Sequence, residues 1–213
     1  MRIHRVMIDN EDKTDEIIET ILRSGIKDEI INRLSILIIM QMYAIVMSRA
    51  DNIFKISDEI LKLEGLSRRG ESSTKKPTMF SRKPYLKGLW HKHYLGSNIA
   101  DMARNLQVAL KNYGLPRLDA EIEKISRTGE ERLFTPEDAG RLAHEAVVEN
   151  YLRRSQEKKL TGHWIIYAIY KGENYYLSLA KHTDDESEIR TQIDAICVPE
   201  FPFLNDILTP VSP

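Results

Sequence analysis

The chain has 213 residues, of which 42% are apolar and 30% are charged. This composition is typical of a folded protein, and the length fits one domain or a large lobe with a small appendage. The formal charge of -1 argues against a uniformly basic nucleic-acid-binding protein, although a local basic patch is compatible with it. The single cysteine, Cys197, excludes an intrachain disulfide and predicts a buried structural thiol in a reducing, cytoplasmic environment.

The sequence predicts neither a secretion signal nor a membrane span. Acidic residues lie near the N-terminus, where a signal peptide would have its apolar core. The most apolar stretch, residues 34–48, contains Gln41 and is shorter than the ~20 residues that cross a bilayer. We therefore predict a helix buried in the protein core and no membrane partner.

The spacing of apolar residues predicts helices along most of the chain. The predicted helices cover residues 15–24, 27–63 with a break allowed at 57–59, 97–113, 118–125, 135–157 and 184–197. Residues 66–83 lack this periodicity and are rich in Ser, Gly, Pro and positive charge, which predicts a loop or linker. The Pro-rich end, residues 198–213, is predicted to be an extended tail packed by Phe201, Phe203 and Leu204.

Residues 163–182, HWIIYAIYKGENYYLSLAKH, alternate with the period of two that is typical of strands and predict a β-hairpin. No strand is predicted ahead of it. With a four-residue loop at 171–174, His163 lies opposite His182, and Tyr167 lies on the same face. A two-residue turn at 172–173 would keep this register, whereas a three- or five-residue loop would separate the histidines.

Two opposed imidazoles have the chemistry of a general base and a general acid acting on a phosphate. Tyr167, two pairs further along, would donate a hydrogen bond to a phosphate oxygen. The alternative is that His163 and His182 are only the polar ends of an ordinary hairpin. Two histidines without a neighbouring carboxylate or thiolate make an incomplete metal site, so neither a metal nor another cofactor is predicted.

A basic segment precedes these strands. Residues 66–93 contain eight Lys or Arg residues and one acidic residue, with aromatic residues between them. Positive charges that neutralise phosphates, together with aromatic rings that stack on bases, predict binding of RNA or DNA. The candidate residues are Arg68, Arg69, Lys75, Lys76, Arg82, Lys83, Trp90, His91, Lys92 and His93. The alternative is a solvated basic loop followed by a helix that packs into the core. His91 and His93 share a side only in a strand or loop.

The hairpin and the following LAKHTDDESEIRTQIDAI, about 36 residues together, resemble the closing strands and last helix of RelE-type mRNA-cleaving toxins. In that family a basic or His-bearing final strand leads into a short charged helix. The resemblance implies RNA cleavage. The sequence contains no Walker-type glycine loop, dinucleotide fingerprint or zinc-protease helix motif.

We therefore predict an α+β, mainly α protein, with a helical body over residues 1–158 and a C-terminal unit over residues 159–213. That unit consists of the hairpin, a short helix and the Pro-rich tail. The predicted function is a metal-independent RNase-like toxin or defence factor that uses a cross-strand histidine pair. The alternative is a non-enzymatic antitoxin, immunity or phage-related factor, whose helices bind a protein partner or a second copy of the chain.

Overall fold

A computed structural model describes residues 5–81, 84–97, 99–129 and 135–210, except for the side chain of Ala100. Helix accounts for 53% and strand for 15% of the chain, and the strands form two antiparallel sheets. The predicted α+β, mainly α class is therefore confirmed.

Before the main sheet, the chain forms a small strand pair and four helices. These elements are β1 (Met7–Ile8), β2 (Glu11–Asp12), α1 (Thr14–Arg23), α2 (Asp28–Ile31), α3 (Ile36–Ser48) and α4 (Ile53–Leu63). The predicted long helix is thus three helices, and its breaks do not fall at residues 57–59. Capping explains the breaks, because the side chains of Ser35 and Asn52 accept hydrogen bonds from backbone N–H groups in the first turns of α3 and α4.

The main sheet has four antiparallel strands in chain order. They are β3 (Thr78–Met79), β4 (Trp90–Tyr94), β5 (His163–Tyr170) and β6 (Glu173–Ala180). The predicted hairpin is confirmed as β5 and β6. The sequence did not predict β3 and β4, which add two strands to the sheet from within the segment predicted to be basic.

The hairpin register differs from the predicted one for two reasons. The turn is Lys171–Gly172, where both residues have positive φ angles, so Tyr170 pairs with Glu173. In addition, Tyr167 pairs with Tyr176 but Ile166 pairs with Ser178, which leaves one extra residue in β6. This β-bulge changes the face to which the end of β6 directs its side chains.

The main sheet separates two hydrophobic cores. On one face, Ile165, Tyr167 and Tyr176 pack with residues of α1, α3 and α4. On the other face, Trp164 and Ile166 pack with the C-terminal helices. These helices are α9 (Glu186–Gln192), which continues through a π-helical turn (Ile193–Cys197) into α10 (Val198–Glu200), and α11 (Leu204–Ile207).

The predicted tail is therefore partly helical instead of extended. Phe201 and Leu204 are nevertheless buried, and Phe203 packs against the same core, as predicted. The Cys197 thiol is buried as well.

The outer edge of β6 is protected by the segment around the start of α3. The backbone of Tyr176 exchanges hydrogen bonds with Arg33 and Ser35, at 2.8 and 2.9 Å. The amide of Gln41 accepts from Leu179 N at 2.6 Å and donates to Leu179 O at 3.1 Å. Gln41 thus acts as a side-chain partner for the sheet edge, which explains a polar residue in the most apolar helix.

Between β4 and β5 the chain forms a group of helices. They are α5 (Ile99–Tyr113), α6 (Pro116–Thr128) and α7 (Pro136–His144), which continues through a π-helical turn (Glu145–Glu149) into α8 (Asn150–Gln156). The Asn105 side chain connects α5 to the start of β5, since its amide donates to Thr161 O at 2.6 Å and accepts from Thr161 N at 2.9 Å. Within the described ranges, every helix is too short or too polar to cross a membrane.

Gly162 allows β4 and β5 to approach each other at the start of β5. A Cβ atom at this position would lie 1.9 Å from the Tyr94 carbonyl oxygen, which is backbone and cannot rotate away. We expect Gly162→Ala to lower the free energy of unfolding by about 3 kcal/mol or more, at or beyond the usual cost of overpacking. Urea unfolding measures this difference.

The matched control for this prediction is Gly140→Ala in α7, where an added Cβ atom meets no heavy atom within 4 Å. It should raise stability by up to ~1 kcal/mol, because alanine is the better helix former. Equal effects of the two substitutions would contradict the close approach of the strands.

Candidate active site

Four of the six histidines lie near one end of the main sheet. His91 and His93 alternate on β4 and point to one face, on which His93 pairs across the sheet with Trp164. His163 is the first residue of β5, and His182 follows β6 by two residues. The strand at residues 90–94 therefore places His91 and His93 on the same side, one of the two arrangements that the sequence allowed.

His93 is the centre of a cluster of rings. The His182 ring stacks on it with centroids 5.1 Å apart and planes inclined by 24°, and His91 contacts it edge-on at 5.4 Å. Trp164 lies 4.5 Å from His182 and 5.4 Å from His91, and Phe80 covers His91 at 4.5 Å. We refer to His91, His93, His182 and Trp164 as the histidine cluster.

The predicted pairing of His163 with His182 is wrong. Because of the turn and the bulge, Trp164 pairs with Ala180, and this register does not bring His182 opposite His163. His163 alternates onto the opposite face from Trp164, where its ring lies 5.6 Å from the Tyr94 ring. His182 instead packs on Trp164, so the hairpin brings His182 to β4 and not to its own first residue.

The position of Tyr167 does not fit its predicted role either. Its side chain is only 2% exposed and packs against Tyr176 in the core beneath α4. Burial raises the pKa of the Tyr167 phenol to about 12. The side chain lies on the opposite face from the histidine cluster and contributes to packing.

The histidines of the cluster are electrically neutral at neutral pH. Burial lowers the pKa of His91 to about 4 and that of His93 to about 3. The pKa of the more exposed His182 is also lowered, first by partial burial and then by the positive charge of Arg104, with further contributions from His163 and Lys75. A neutral imidazole is a proton acceptor, so the cluster can supply a general base.

The backbone of Gly162 holds the ring of His93. Nδ1 of His93 is 3.0 Å from the Gly162 carbonyl oxygen and 3.4 Å from the Gly162 amide nitrogen, so both backbone groups of Gly162 contact the same ring nitrogen. Among the described residues, neither Nδ1 of His91 nor Nε1 of Trp164 has a hydrogen-bond partner, although both atoms are buried. Buried polar atoms without partners are few in folded proteins, and a bound water, an ion or a catalytic role are the usual reasons for them.

Two charged residues that α5 brings to this end of the sheet were not among the predicted site residues. Asp101 Oδ2 lies 3.2 Å from Nε2 of His163. Arg104 lies one helical turn later and acts electrostatically on His182. Their spacing of three residues indicates a shared helix face, but no sequence pattern indicates that Asn105 fixes this face against the start of β5.

The basic segment divides into exposed and buried residues. Arg68, Arg69, Lys75 and Lys76 are exposed, as a phosphate-binding surface requires. Arg82 and Lys83 lie outside the described residues. Trp90 and His91 are half-buried, and His93 is buried.

Lys92 does not fit the prediction that it contacts nucleic acid. Its side chain lies under the sheet and is 3% exposed. The ammonium is 3.1 Å from the buried carboxylate of Glu59 and donates to Ser72 Oγ, Thr74 Oγ1 and the Lys75 carbonyl. These four partners occupy all three donors of the ammonium, so Lys92 has none left for a phosphate.

Within the described ranges, no three His, Cys, Asp or Glu side chains converge in a way that could hold a metal ion. No model of a known protein family matches the chain, and neither does any curated protein or solved structure. The geometry and electrostatics of the site are therefore the only guide to the function of the chain.

A substitution of Lys92 separates a structural role from a nucleic-acid-binding role. Lys92→Met should lower the free energy of unfolding by about 3–5 kcal/mol, because it leaves the Glu59 carboxylate buried without its main partner. The double variant Lys92→Met, Glu59→Met should recover a large part of this loss. Denaturant unfolding checks both expectations, and a Lys92→Met protein with unchanged stability but weaker RNA binding would contradict them.

Proposed function

We propose that this chain is a nucleic-acid-directed protein that cleaves single-stranded RNA without a metal ion. The observation that carries the proposal is the stacked pair of His93 and His182, next to the positive charges of Lys75 and Arg104. A neutral, partly exposed imidazole beside two cations combines a base with groups that bind a phosphate.

His182 takes the role of general base. Its neutral ring removes the proton of a ribose 2′-hydroxyl, and the 2′-oxygen then forms a bond to the adjacent phosphorus. The bond from phosphorus to the 5′-oxygen breaks, and that oxygen takes a proton from water. The products are a 2′,3′-cyclic phosphate and a 5′-hydroxyl. Lys75 and Arg104 stabilise the negative charge that develops on the phosphate oxygens.

His93 positions the base. Its ring is fixed by the Gly162 carbonyl and stacks on His182, so the orientation of His182 depends on β4. Trp164 also contacts the His182 ring, with centroids 4.5 Å apart and planes inclined by 68°. A base that packs on two rings loses little conformational freedom when the substrate binds.

In the cell, such an RNA-cleaving protein would act as a toxin or defence factor in the cytoplasm. This role is supported by the resemblance of the hairpin and the following helix to RelE-type toxins, and by β3 and β4, which add to the hairpin the preceding strands that a sheet of that kind needs. Expression of the protein should harm the host cell. His182→Ala should relieve the harm, whereas harm that persists in this variant would count against the proposal.

Cleavage of RNA by the purified protein tests the proposal more directly than harm to the host cell does. In the presence of EDTA, His182→Ala should lower kcat/KM on an RNA oligonucleotide by about 10²- to 10⁴-fold, the usual contribution of a general base. His144→Ala is the matched control, because His144 is an exposed histidine on α7, and it should leave the rate unchanged. An RNA with 2′-O-methyl groups should not be cleaved at all.

The pH dependence of the same reaction identifies the base. The rate should rise as His182 loses its proton, and because the pKa of His182 is lowered, the midpoint of this rise should lie below pH 6.5. Arg104→Gln removes a positive charge and should move the midpoint upward. Cleavage that requires a divalent metal, or that survives in His182→Ala, would overturn the proposal.

A second candidate function is protein binding through the helices between β4 and β5. These helices expose large apolar side chains, and a cleft of about 950 Å³ lies between α6 and α7. The exposed apolar residues are Ile99, Met102, Ile122, Val147, Val148 and Leu152. Such a surface suits an antitoxin, immunity or phage-related factor with a protein partner. A protein that neither cleaves RNA nor harms the host would favour this function.

A further inference from the structure

A second basic feature lies outside the histidine cluster. A cavity of about 520 Å³ opens between the end of α4, the segment 67–77 and the turn that follows α8. Five cationic side chains line it: Lys62, Arg69, Lys76, Lys92 and Lys158. Its positive charge suits an anion with several oxygen atoms.

The cations of the cavity differ in how far they are already neutralised. Lys62 lies 2.7 Å from Asp58, and the charge of Lys92 is held by Glu59. In contrast, neither Arg69 nor Lys76 is held by a neighbouring carboxylate in this way within the described part of the chain, although Lys76 acts electrostatically on Glu71 and helps to lower the pKa of that carboxyl. These two side chains are exposed and available to a ligand.

Lys158 has one partner, and that partner is easily displaced. Its ammonium is paired with Glu71 at the rim of the cavity, and the Glu71 side chain is 80% exposed. Exposed ion pairs contribute at most ~1 kcal/mol. A phosphate, with more charge and more acceptor atoms, can therefore replace the Glu71 carboxylate.

The backbone at Lys158 supports a specific use of this side chain. Lys158 follows the end of α8 and has a φ angle of 53°, a left-handed conformation in which glycine is the usual residue. A lysine adopts this conformation at a cost in free energy. Glycine would suit the backbone at position 158 better, but the lysine found there places a positive charge at the rim of the cavity.

The segment that lines the cavity also reaches the histidine cluster. Thr74 forms a bridge with Leu160, and Lys75 N donates to Leu160 O at 3.1 Å, so this part of the segment is held in place. Lys75 acts electrostatically on His91, His93 and His182, whereas the next residue, Lys76, lines the cavity. Neighbouring residues thus serve both sites, and a nucleic-acid strand that crosses the segment meets both.

We infer that the cavity is a phosphate subsite for a nucleotide next to the one bound at the histidine cluster. Arg69, Lys76 and Lys158 contact the phosphate, and Glu71 is the carboxylate that the phosphate displaces. This inference deepens the proposed function and depends on it for the identity of the strand. The ligand class is a single-stranded RNA with phosphates on both sides of the segment 72–77.

Binding of an uncleavable RNA tests the inference. A labelled hexanucleotide with 2′-O-methyl groups is titrated at several salt concentrations in EDTA, and binding is followed by fluorescence anisotropy. Arg69→Gln, Lys76→Gln and Lys158→Gln should each reduce the salt slope by ~0.7, which is about a fivefold loss of affinity at 0.1 M relative to 1 M salt. Lys27→Gln, an exposed lysine outside the cavity, is the matched control and should change nothing.

Glu71→Gln should change the affinity for the hexanucleotide in the opposite direction. It removes the competing carboxylate and keeps the size of the side chain, so affinity for the hexanucleotide should increase. Lys158→Gly should weaken binding without lowering the melting temperature, because glycine suits the left-handed backbone. Unchanged affinity in the three Gln variants, or weaker binding by Glu71→Gln, would overturn the inference.

Two further binding measurements show whether the cavity takes an RNA phosphate or a free anion, and they test the subsite independently of RNA cleavage. A dinucleotide has only one phosphate, so its binding should not depend on Arg69 or Lys76. Dependence on these residues for inorganic pyrophosphate but not for the hexanucleotide would mean that the cavity takes a free anion, which overturns the strand assignment. If these variants lose affinity for the hexanucleotide but the unsubstituted protein does not cleave RNA, the subsite is supported and the proposed cleavage is contradicted.

Discussion

The pairing of β4 with β5 is the constraint on which the rest of the site depends. It places His93 across from Trp164, and it directs the buried Lys92 to the opposite face, where Glu59 neutralises it. Gly162 makes the close approach of the two strands feasible, because its missing side chain leaves room for the Tyr94 carbonyl. A single five-residue strand therefore separates a structural ion pair on one face from the histidine cluster on the other.

The two faces of the sheet have different physical tasks. The face beneath α1, α3 and α4 buries mainly isoleucine, tyrosine and leucine side chains, and burial of such apolar area is the main source of folding free energy. The opposite face has a similar apolar core, but its open end carries His91, His93 and Trp164. Desolvated imidazoles and unpaired ring nitrogens lower stability, and the apolar packing of the two cores offsets this cost.

The sequence predicted the composition of the fold better than the contacts of the site. The β5–β6 hairpin was recognisable because two alternating runs flank Gly172. The register was not, since a positive φ angle at Lys171 and a bulge in β6 after Tyr176 together shift the pairing, and neither has a strong sequence signal. One shift of this kind is enough to move His182 from the predicted partner His163 to another strand.

Strand β4 shows a second limit of sequence reasoning. WHKHY is short, and it combines a buried lysine with two histidines, so its alternation of faces is not an alternation of apolar and polar residues. Only tertiary contacts show which face each side chain of β4 occupies. Lys92 pairs with a carboxylate on α4, and the histidines pack against Trp164 and Phe80. The exposure of basic residues such as Lys75 and Lys76 was predictable, because charged side chains in a Ser- and Pro-rich segment without helical periodicity usually remain in water.

Nuclear magnetic resonance of the histidine rings as a function of pH tests the central claim most directly. If β4 pairs with β5 as described, His93 should remain neutral down to about pH 3 and His91 down to about pH 4. Unfolded histidines take up protons near pH 6.5, so stability should fall as the pH is lowered from 6.5 towards these values. The same spectra should show contacts between the rings of His93 and His182. Titration of His93 near pH 6.5, with no contact between the two rings, would contradict this account.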